Sequence, residues 1–233
     1  GSEMCIRDRA EIISDQSGMY AGLFTHMDAD ADKYGAKARK QINKDLYGKM
    51  GTEDERLVWW NPKDANNKDG GYQQEKFKFS DIQTWMGDYV WMRIEEMYLI
   101  AAEVECRLGN DAGAREYLMD LMSKRDASYS CAQKSGTSMG KLTSDYTGSL
   151  LEEIIIQRRI ELWGEGFRWF DLKRLGLPLD RTGSNFDATF CGFLHKDPNA
   201  DGWIFEIPKK ETDFNDLIEK NYYCLLYTSD AAD

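Results

Sequence analysis

Apolar residues recur at helical spacing through the middle of the chain. Between residues 89 and 108 they follow one another at steps of three, four and seven, and residues 112–124 repeat the pattern. Such spacing places apolar side chains on one face of a helix. Gly109 suits the left-handed end of the first helix, and Asn110 or Asp111 suits the start of the second. The pattern predicts an antiparallel helical hairpin.

This hairpin is similar to one tetratricopeptide unit, the repeated element of an α-solenoid. The small residues Ala101, Ala102 and Ala114 stand where two such helices would cross closely. A second copy is not visible at the expected period within the chain. Because one hairpin cannot bury its own apolar face, we expect the rest of a stack in an upstream part of a longer protein.

A further helical segment runs through "TGSLLEEIIIQRRIELWGEGFRWFDLKRLG", residues 147–176. Ser149 followed by Glu152 is a capping box, which predicts that the helix begins there. Apolar residues fill most of its circumference and predict burial, while Gly164 and Gly166 permit a close approach or a bend. Opposite charges at steps of three or four can pair along one face. We expect a structural ion ladder from Arg158, Glu161, Glu165, Arg168, Asp171 and Arg174.

Glu161 and Glu165 also allow a different interpretation. Two carboxylates four residues apart on a helix lie near each other, as the general acid and the nucleophile or base of a glycosidase do. Each, however, has an arginine within one helical turn, and such a neighbour keeps a carboxylate ionised, which is the wrong state for a general acid. We therefore favour the structural role and predict no catalytic residue.

The rest of the chain favours irregular structure. Turn-forming pairs such as Asn-Pro and Gly-Gly crowd residues 51–90, and residues 126–148 have the composition of a flexible connector. Three short elements are predicted within and beyond these segments: a surface helix over 34–49, a strand over "KFKFS" at 76–80 and a strand over 203–207. The expected fold is mainly α, with tetratricopeptide-like hairpins and long irregular loops.

Composition and charge exclude several classes of function. A formal net charge of −11 repels phosphate backbones, so nucleic acid is a poor partner. No apolar run approaches the roughly 20 residues that span a bilayer. Cys106, Cys131 and Cys191 are scattered without metal-ligand spacing, which favours thiols packed as small apolar residues.

Neither a cofactor nor a metal site is predicted. His26 and His195 have no ligand partners at useful spacing. The acidic segment "DADADK", residues 28–33, lacks the glycine and the distal glutamate of a calcium-binding EF-hand loop. A solvated acidic turn is the simpler interpretation.

Both ends of the chain look foreign to the protein. Residues 1–8, "GSEMCIRD", and residues 224–233, "CLLYTSDAAD", resemble in-frame translations of the adapters used in sequencing libraries. We exclude such segments from inferences about the fold. The expectation is one N-terminally truncated domain over residues 9–223.

Three blocks along the chain carry a resemblance to a known family. They are "RIEEMYLIAAEVECRLGN", "IIIQRRIELWGEGFRWFDLKRLG" and "IFEIPKKETDFNDLIEKN", in that order. Together they resemble successive signatures of the SusD/RagB family over about residues 34–221. Gln157, Trp163 and Phe167 depart from the usual residues of the second block, and these departures affect packing only.

The resemblance implies a function as well as a fold. Members of this family are outer-membrane lipoproteins of Bacteroidetes-type bacteria, held at the cell surface by a lipidated N-terminal cysteine that this chain would lack. They bind oligosaccharides, less often peptides, and cover a SusC-type TonB-dependent transporter. The resemblance therefore implies capture of a nutrient glycan, with no reaction catalysed and no metal required.

Candidate sugar-binding residues lie in the irregular segment over residues 56–90. Sugar recognition needs exposed aromatic faces and hydrogen-bonding side chains, supplied by loops on a rigid scaffold. We expect one or more aromatic residues here to stack on sugar, with Trp59 and Trp60 dividing the roles of ligand contact and anchor. The candidate ligand-binding residues are Trp59, Trp60, Tyr72, Trp85 and Asn66.

Two other functions remain open from the sequence. A tetratricopeptide protein-interaction scaffold would explain the hairpin, although more than half of the chain is irregular. A glycoside hydrolase would require Glu161 or Glu165 to be catalytic.

Overall fold

Helices dominate the part of the chain that the structure describes. It is a computed structural model that describes residues 9–13, 28, 40–62, 71–79, 81, 86–90, 92–184, 194–195, 207–215 and 217–218. The helices within these ranges are α1 (Lys44–Tyr47), α2 (Ile94–Arg107), α3 (Asp111–Met122), α4 (Leu150–Glu161), α5 (Phe167–Leu175) and α6 (Lys209–Phe214). The protein is mainly helical, as the sequence predicts.

Short strands join distant parts of the chain in antiparallel pairs. The strands are β1 (Arg9–Ile13), β2 (Trp60–Asn61), β3 (Gln73–Gln74), β4 (Met86–Val90), β5 (Leu179–Asp180) and β6 (Leu194–His195). β1 pairs with β4, β2 with β3, and β5 with β6. A 3₁₀ helix, Glu55–Trp59, leads directly into β2.

The predicted hairpin of α2 and α3 is confirmed. Leu99 and Ala102 of α2 and Ala114 and Leu118 of α3 are fully buried against each other. α4 adds Ile154 to the same core and packs against both helices. Burial of each large side chain stabilises the fold by about 1.5–3 kcal/mol, so this three-helix layer contributes much of the stability of the described residues.

The predicted helix ends are also confirmed. Gly109 has φ +82°, the left-handed conformation that ends α2, and the Asn110 side chain accepts a hydrogen bond from the Gly113 amide at 3.1 Å. Ser149 Oγ accepts from the Glu152 amide at 3.1 Å. The Glu152 carboxylate in turn accepts hydrogen bonds from amides just before the cap, those of Thr147 and Gly148, rather than from the Ser149 amide.

Several predicted boundaries are wrong. α2 begins at Ile94 rather than near residue 89, because residues 86–90 pair with β1 as a strand. The surface helix is reduced to Lys44–Tyr47 within the described residues. The alternating segment at 76–79 is not a strand; the preceding Gln73–Gln74 pairs instead with β2.

Other predictions fall on residues outside the described ranges. These are both terminal segments (residues 1–8 and 224–233), residues 29–33 of the acidic turn, residues 203–206 of the last strand, His26 and Cys191. Cys106 and Cys131 are buried free thiols, as predicted. Their burial raises the pKa of both thiols.

Residues 126–148 are irregular but anchored, which corrects the expectation of a flexible connector. Arg115 of α3 donates to the Lys134 carbonyl at 2.9 Å, and Asp111 accepts from the Gly136 amide at 3.0 Å. The Tyr129 hydroxyl donates to Glu153 of α4 at 2.8 Å. These contacts hold the segment against the three-helix layer.

The charged segment after residue 149 forms two helices rather than one. α4 ends at Glu161 and α5 begins at Phe167. Gly164 and Gly166 have φ values of +78° and +88° in the intervening turn. These left-handed conformations favour glycine, so the two glycines allow the change of direction.

Candidate functional site

A buried carboxylate lies at the end of α4. The Glu161 side chain is 0% exposed and is surrounded by three guanidinium groups. Arg125 Nη2 lies 2.9 Å from Glu161 Oε1, and Arg56 Nη1 lies 3.3 Å from Oε2. Arg93 also donates to Oε1 and, at 2.9 Å, to the Glu161 carbonyl oxygen. One carboxylate therefore joins three distant parts of the chain.

The charge state of Glu161 follows from these contacts. Burial disfavours the ionised form, but Arg125, Arg93 and Arg56 outweigh it and lower the pKa of Glu161 to about 2. An anion of such low basicity cannot donate a proton to a leaving group at neutral pH. Glu161 is placed to hold the scaffold together.

Glu165 is neutralised in the same way from the turn between α4 and α5. Lys76 Nζ lies 2.5 Å and Arg93 Nη1 2.6 Å from Glu165 Oε1. Lys76 Nζ also donates to the carbonyl oxygens of Glu161 and Trp163, at 2.7 and 3.0 Å. Burial lowers the pKa of Lys76 to about 8, against the opposing effect of Glu165.

A second ionic network fixes α5 to α2 and α4. Arg158 Nε lies 3.0 Å from Asp171 Oδ2, and Arg174 Nε lies 2.8 Å from Asp171 Oδ1. Arg174 Nη1 also contacts Glu103 of α2 at 2.6 Å, and Arg107 pairs with the same carboxylate. The shared carboxylates thus crosslink three helices.

The charges predicted to form a ladder along one helix face mostly pair with residues from elsewhere. Asp171 and Arg174 are three residues apart, whereas Arg158 reaches Asp171 across the turn and Glu96 on α2. Arg168 makes no ion pair within the described part of the chain. Sequence analysis missed Arg56, Lys76 and Arg125 as partners, because no periodic signal links them to α4.

An aromatic cluster lies beside this ionic core. Trp60 is 2% exposed and forms its centre, with ring centroids of Trp59, Trp163 and Tyr47 at 5.9, 5.8 and 6.3 Å. The Tyr72 ring stacks edge-on against Tyr47 at 5.0 Å. The four rings around Trp60 are all partly exposed.

The structure separates the roles of the predicted sugar-binding residues. Trp60 is buried, so its ring has no open face for a ligand. Trp59 is partly exposed, with Lys76 Nζ 4.8 Å from its ring centroid. Tyr72 is partly exposed and has φ +66°, a strained backbone conformation of the kind found at binding sites. Trp85 and Asn66 lie outside the described ranges.

Two further aromatic residues belong to the cluster. Tyr47 comes from α1 and Trp163 from the turn after α4, more than 100 residues away in the chain. Sequence analysis took the segment over 56–90 as the aromatic site and did not include either residue. Their link to Trp60 depends on the tertiary packing of α1 against α4.

The described ranges contain neither a metal-binding group nor a membrane-spanning helix. Within them, no three His, Cys, Asp or Glu side chains come together in a metal-binding group. Nor does any helix there combine the length and the apolar character needed to cross a bilayer.

Comparison with known proteins identifies the family. The family model described as the SusD family matches residues 34–225, most of the chain. The chain belongs to the SusD family. No curated protein matches it significantly.

Solved structures of SusD-like proteins share its fold. A SusD-like carbohydrate binding protein from Bacteroides vulgatus ATCC 8482 is 24% identical, with a TM-score of 0.58 over 82% of this chain. A SusD superfamily protein from the same strain is 26% identical, with a TM-score of 0.56 over 72% of the chain. Another, from Bacteroides thetaiotaomicron VPI-5482, is 24% identical, with a TM-score of 0.55 over 76%.

This SusD family chain spans well under half of those relatives. The alignments cover 44%, 35% and 39% of the three solved structures. The helical hairpin, the ionic core and the aromatic cluster all lie within the residues that match the family.

Proposed function

We propose that the protein binds oligosaccharides at the cell surface and delivers them to a SusC-type TonB-dependent transporter. The observation that carries the proposal is the family match over residues 34–225. A structural relative with the same fold is described as a carbohydrate binding protein. Delivery to a transporter and anchoring in the outer membrane are part of the proposal and follow from the family resemblance.

The aromatic cluster supports sugar binding on physical grounds. Sugar rings present flat apolar C–H faces, and ligand sites combine aromatic surfaces with a few fixed polar groups. Trp59 and Tyr72 offer partly exposed rings; Trp59 packs against buried Trp60, and Tyr72 packs against Tyr47, which also contacts Trp60. Because the Trp59 ring lies against Lys76 and Arg125 of the ionic core as well, it loses little conformational freedom when a ligand binds.

The ionic core supports binding rather than hydrolysis. A glycosidase needs one protonated carboxylic acid and one ionised carboxylate flanking the bond to be cleaved. Glu161 is fully buried and ionised, and Glu165 shares its oxygen between Lys76 and Arg93. Glu161 is therefore in no state to protonate a leaving group. Glu165 is held by two cationic side chains.

Calorimetric titration with a panel of oligosaccharides tests this function. We expect saturable binding of at least one glycan, weakened about tenfold or more in Trp59→Ala and Tyr72→Ala, since burying a large apolar side chain against a ligand contributes on the order of 1.5–3 kcal/mol. Trp85→Ala and Asn66→Ala test the two remaining candidates.

Phe214→Ala is the matched control, because Phe214 is 90% exposed on α6 and lies outside the cluster. Its affinity should equal that of the unaltered chain. If Trp59→Ala and Tyr72→Ala bind every glycan as tightly as this control does, the aromatic cluster is not the sugar site.

The transporter partnership requires a separate experiment with the longer protein. Affinity purification from detergent-solubilised outer membranes should recover a TonB-dependent barrel in stoichiometric amount. Recovery of soluble helical proteins in its place would favour the tetratricopeptide scaffold.

A further inference from the structure

Two cavities lie beside the same pair of arginines, Arg159 on α4 and Arg168 on α5. The larger has a volume of about 460 Å³ and is walled by the rings of Trp163, Phe167 and Trp169. The smaller has about 80 Å³ and is bordered by Lys49, Lys141 and Tyr146. Leu46, Arg159 and Arg168 line both.

Arg159 and Arg168 differ from the other arginines packed around α4. Arg56, Arg93, Arg125 and Arg158 each pair with at least one carboxylate. Arg159 and Arg168 make no ion pair within the described residues, and Arg168 Nη1 is buried with no hydrogen-bond partner.

Three of the four described carboxylates that line the two cavities accept hydrogen bonds from other groups, and Asp45, which borders the smaller cavity, is the fourth. Asp171 accepts from Arg158 and Arg174. Asp180 accepts from the Thr143 amide and hydroxyl, at 2.9 and 2.6 Å, and from the Thr182 amide. Glu152, which borders the smaller cavity, accepts from the amides before α4. Within the described residues the two guanidinium groups are thus left without an ion pair of their own, although Asp180 attracts Arg159 and Asp171 attracts Arg168 electrostatically.

Electrostatics makes this arrangement costly without a ligand. Burial, together with the nearby Arg159 guanidinium, lowers the pKa of Arg168 to about 9. Burial likewise lowers the pKa of Arg159, with Asp180 opposing it. Partly buried like charges that make no direct ion pair destabilise a fold, and a planar oxyanion relieves them by accepting charge-assisted hydrogen bonds from both guanidinium groups.

We propose that Arg159 and Arg168 hold the carboxylate of an acidic sugar whose ring occupies the larger cavity. This inference rests on the proposed function and names the class of glycan. The cavity falls within the range of small-molecule sites and has aromatic walls against which a sugar ring can pack. A bare carboxylate would fill only a small part of it.

The proposed site predicts discrimination against neutral sugars. A neutral sugar supplies only hydroxyl acceptors and leaves both guanidinium charges without an ion pair, whereas a uronic acid supplies a carboxylate. Arginine also presents its donors in a fixed fork that matches a carboxylate, which a lysine at the same position cannot do.

Titration of the full chain with glucuronate, glucose and acetate tests the inference. Tryptophan fluorescence reports binding, because Trp163 and Trp169 line the larger cavity. We expect glucuronate to bind about tenfold to a hundredfold more tightly than glucose, from one or two charge-assisted hydrogen bonds. It should also bind more tightly than acetate, because only glucuronate has a ring that packs against the aromatic walls of the larger cavity. Arg168→Gln should abolish this preference, and Arg168→Lys should retain only part of it.

Two controls separate binding from folding. Lys124→Gln removes an exposed cation that lines neither cavity and should leave glucuronate binding unchanged. Without ligand, Arg168→Gln should melt at the same temperature as the unaltered chain or higher, because no ion pair is broken. A large fall in melting temperature would show that Arg168 has a structural partner, and the inference would fail.

The remaining outcomes separate failure of the inference from failure of the proposed function. Equal affinities for glucose and glucuronate, or unchanged glucuronate binding in Arg168→Gln, overturn the inference and leave oligosaccharide binding standing. If acetate binds as tightly as glucuronate, the site recognises a carboxylate alone, such as that of an Asp or Glu side chain. That result overturns the sugar assignment. Failure of every neutral and acidic glycan overturns the proposed function together with the inference.

Discussion

Replacing Glu161 by glutamine is the sharpest test of the ionic core. The substitution keeps the size of the side chain but removes the single charge that Arg56, Arg93 and Arg125 share. Three guanidinium groups then lie together around a neutral amide. We expect a large loss of stability, because three buried ion pairs to Glu161 are broken at once. Arg56, Arg93 and Arg125 each keep another carboxylate contact, with Asp54, Glu165 and Glu95 respectively.

The expected loss in the free energy of unfolding can be worked out in two ways. The pKa of Glu161 falls from 4.5 to about 2 on folding, which corresponds to about 3 kcal/mol of stabilisation of the ionised form. Loss of one member of a buried pair typically costs about 3–5 kcal/mol. Both agree on a loss of about 3 kcal/mol in the free energy of unfolding.

Urea unfolding followed by tryptophan fluorescence measures this loss. Glu116→Gln is the matched control, since Glu116 is exposed on α3, and it should change stability by less than about 0.5 kcal/mol. The contribution of Glu161 is fully present above pH 4.5 and is lost as the pH falls toward 2, because the unfolded carboxyl protonates first. Glu161→Gln should therefore flatten the acid limb of the stability profile. A loss below about 1 kcal/mol, or an unchanged acid limb, would refute the reasoning.

Three further substitutions test other features. Ser149→Ala removes the cap of α4 and should lower the free energy of unfolding by about 1 kcal/mol. Urea titration measures this loss, and Ser130→Ala is the control, because Ser130 is exposed and lies outside any helix. Gly71→Ala should cost more than about 1 kcal/mol, because φ is +90° and the new Cβ would lie 2.3 Å from the Pro62 carbonyl oxygen; a neutral result would contradict that geometry. The pKa of Lys76 is about 8 in the folded protein and 10.5 in the unfolded chain. Between these two pH values the unfolded chain binds more protons, so the contribution of Lys76 makes the free energy of unfolding rise with pH. Lys76→Met should make that rise smaller, and an identical pH profile would show that Lys76 is not buried.

The helical layer was predictable because its signals are local. The apolar stripes of α2 and α3, the glycine at the end of α2 and the Ser149 cap are all read from residues within a few positions of each other. Burial then selects the helical conformation that these signals favour. The start of α2 was predicted wrongly, because Met86–Val90 forms a strand there. The partner of that strand, β1, lies more than 70 residues away in the chain, so no local pattern indicates the pairing.

The ionic core was predictable only in part for the same reason. Helical periodicity links residues three or four apart, and Asp171–Arg174 is such a pair. The guanidinium groups around Glu161 come from positions 36, 68 and 105 residues away. Sequence analysis identified the carboxylate as paired but could not identify these partners.

The aromatic site shows the same limit. Density of tryptophan and tyrosine marked the segment around Trp59 and Trp60, but which ring is buried depends on packing with Tyr47 and Trp163. The unpaired guanidinium groups of Arg159 and Arg168 were likewise hidden, because the sequence shows charges and not which of them lack a partner.

One measurement tests the central claim most directly, that an ionised, crosslinked scaffold captures glycans without cleaving them. The chain is incubated with the oligosaccharide that it binds most tightly, and calorimetry and chromatography follow binding and products in the same sample. We predict saturable binding with the oligosaccharide recovered intact. Release of shorter sugars that stops in Glu165→Gln would show a catalytic carboxylate where this account places a structural one.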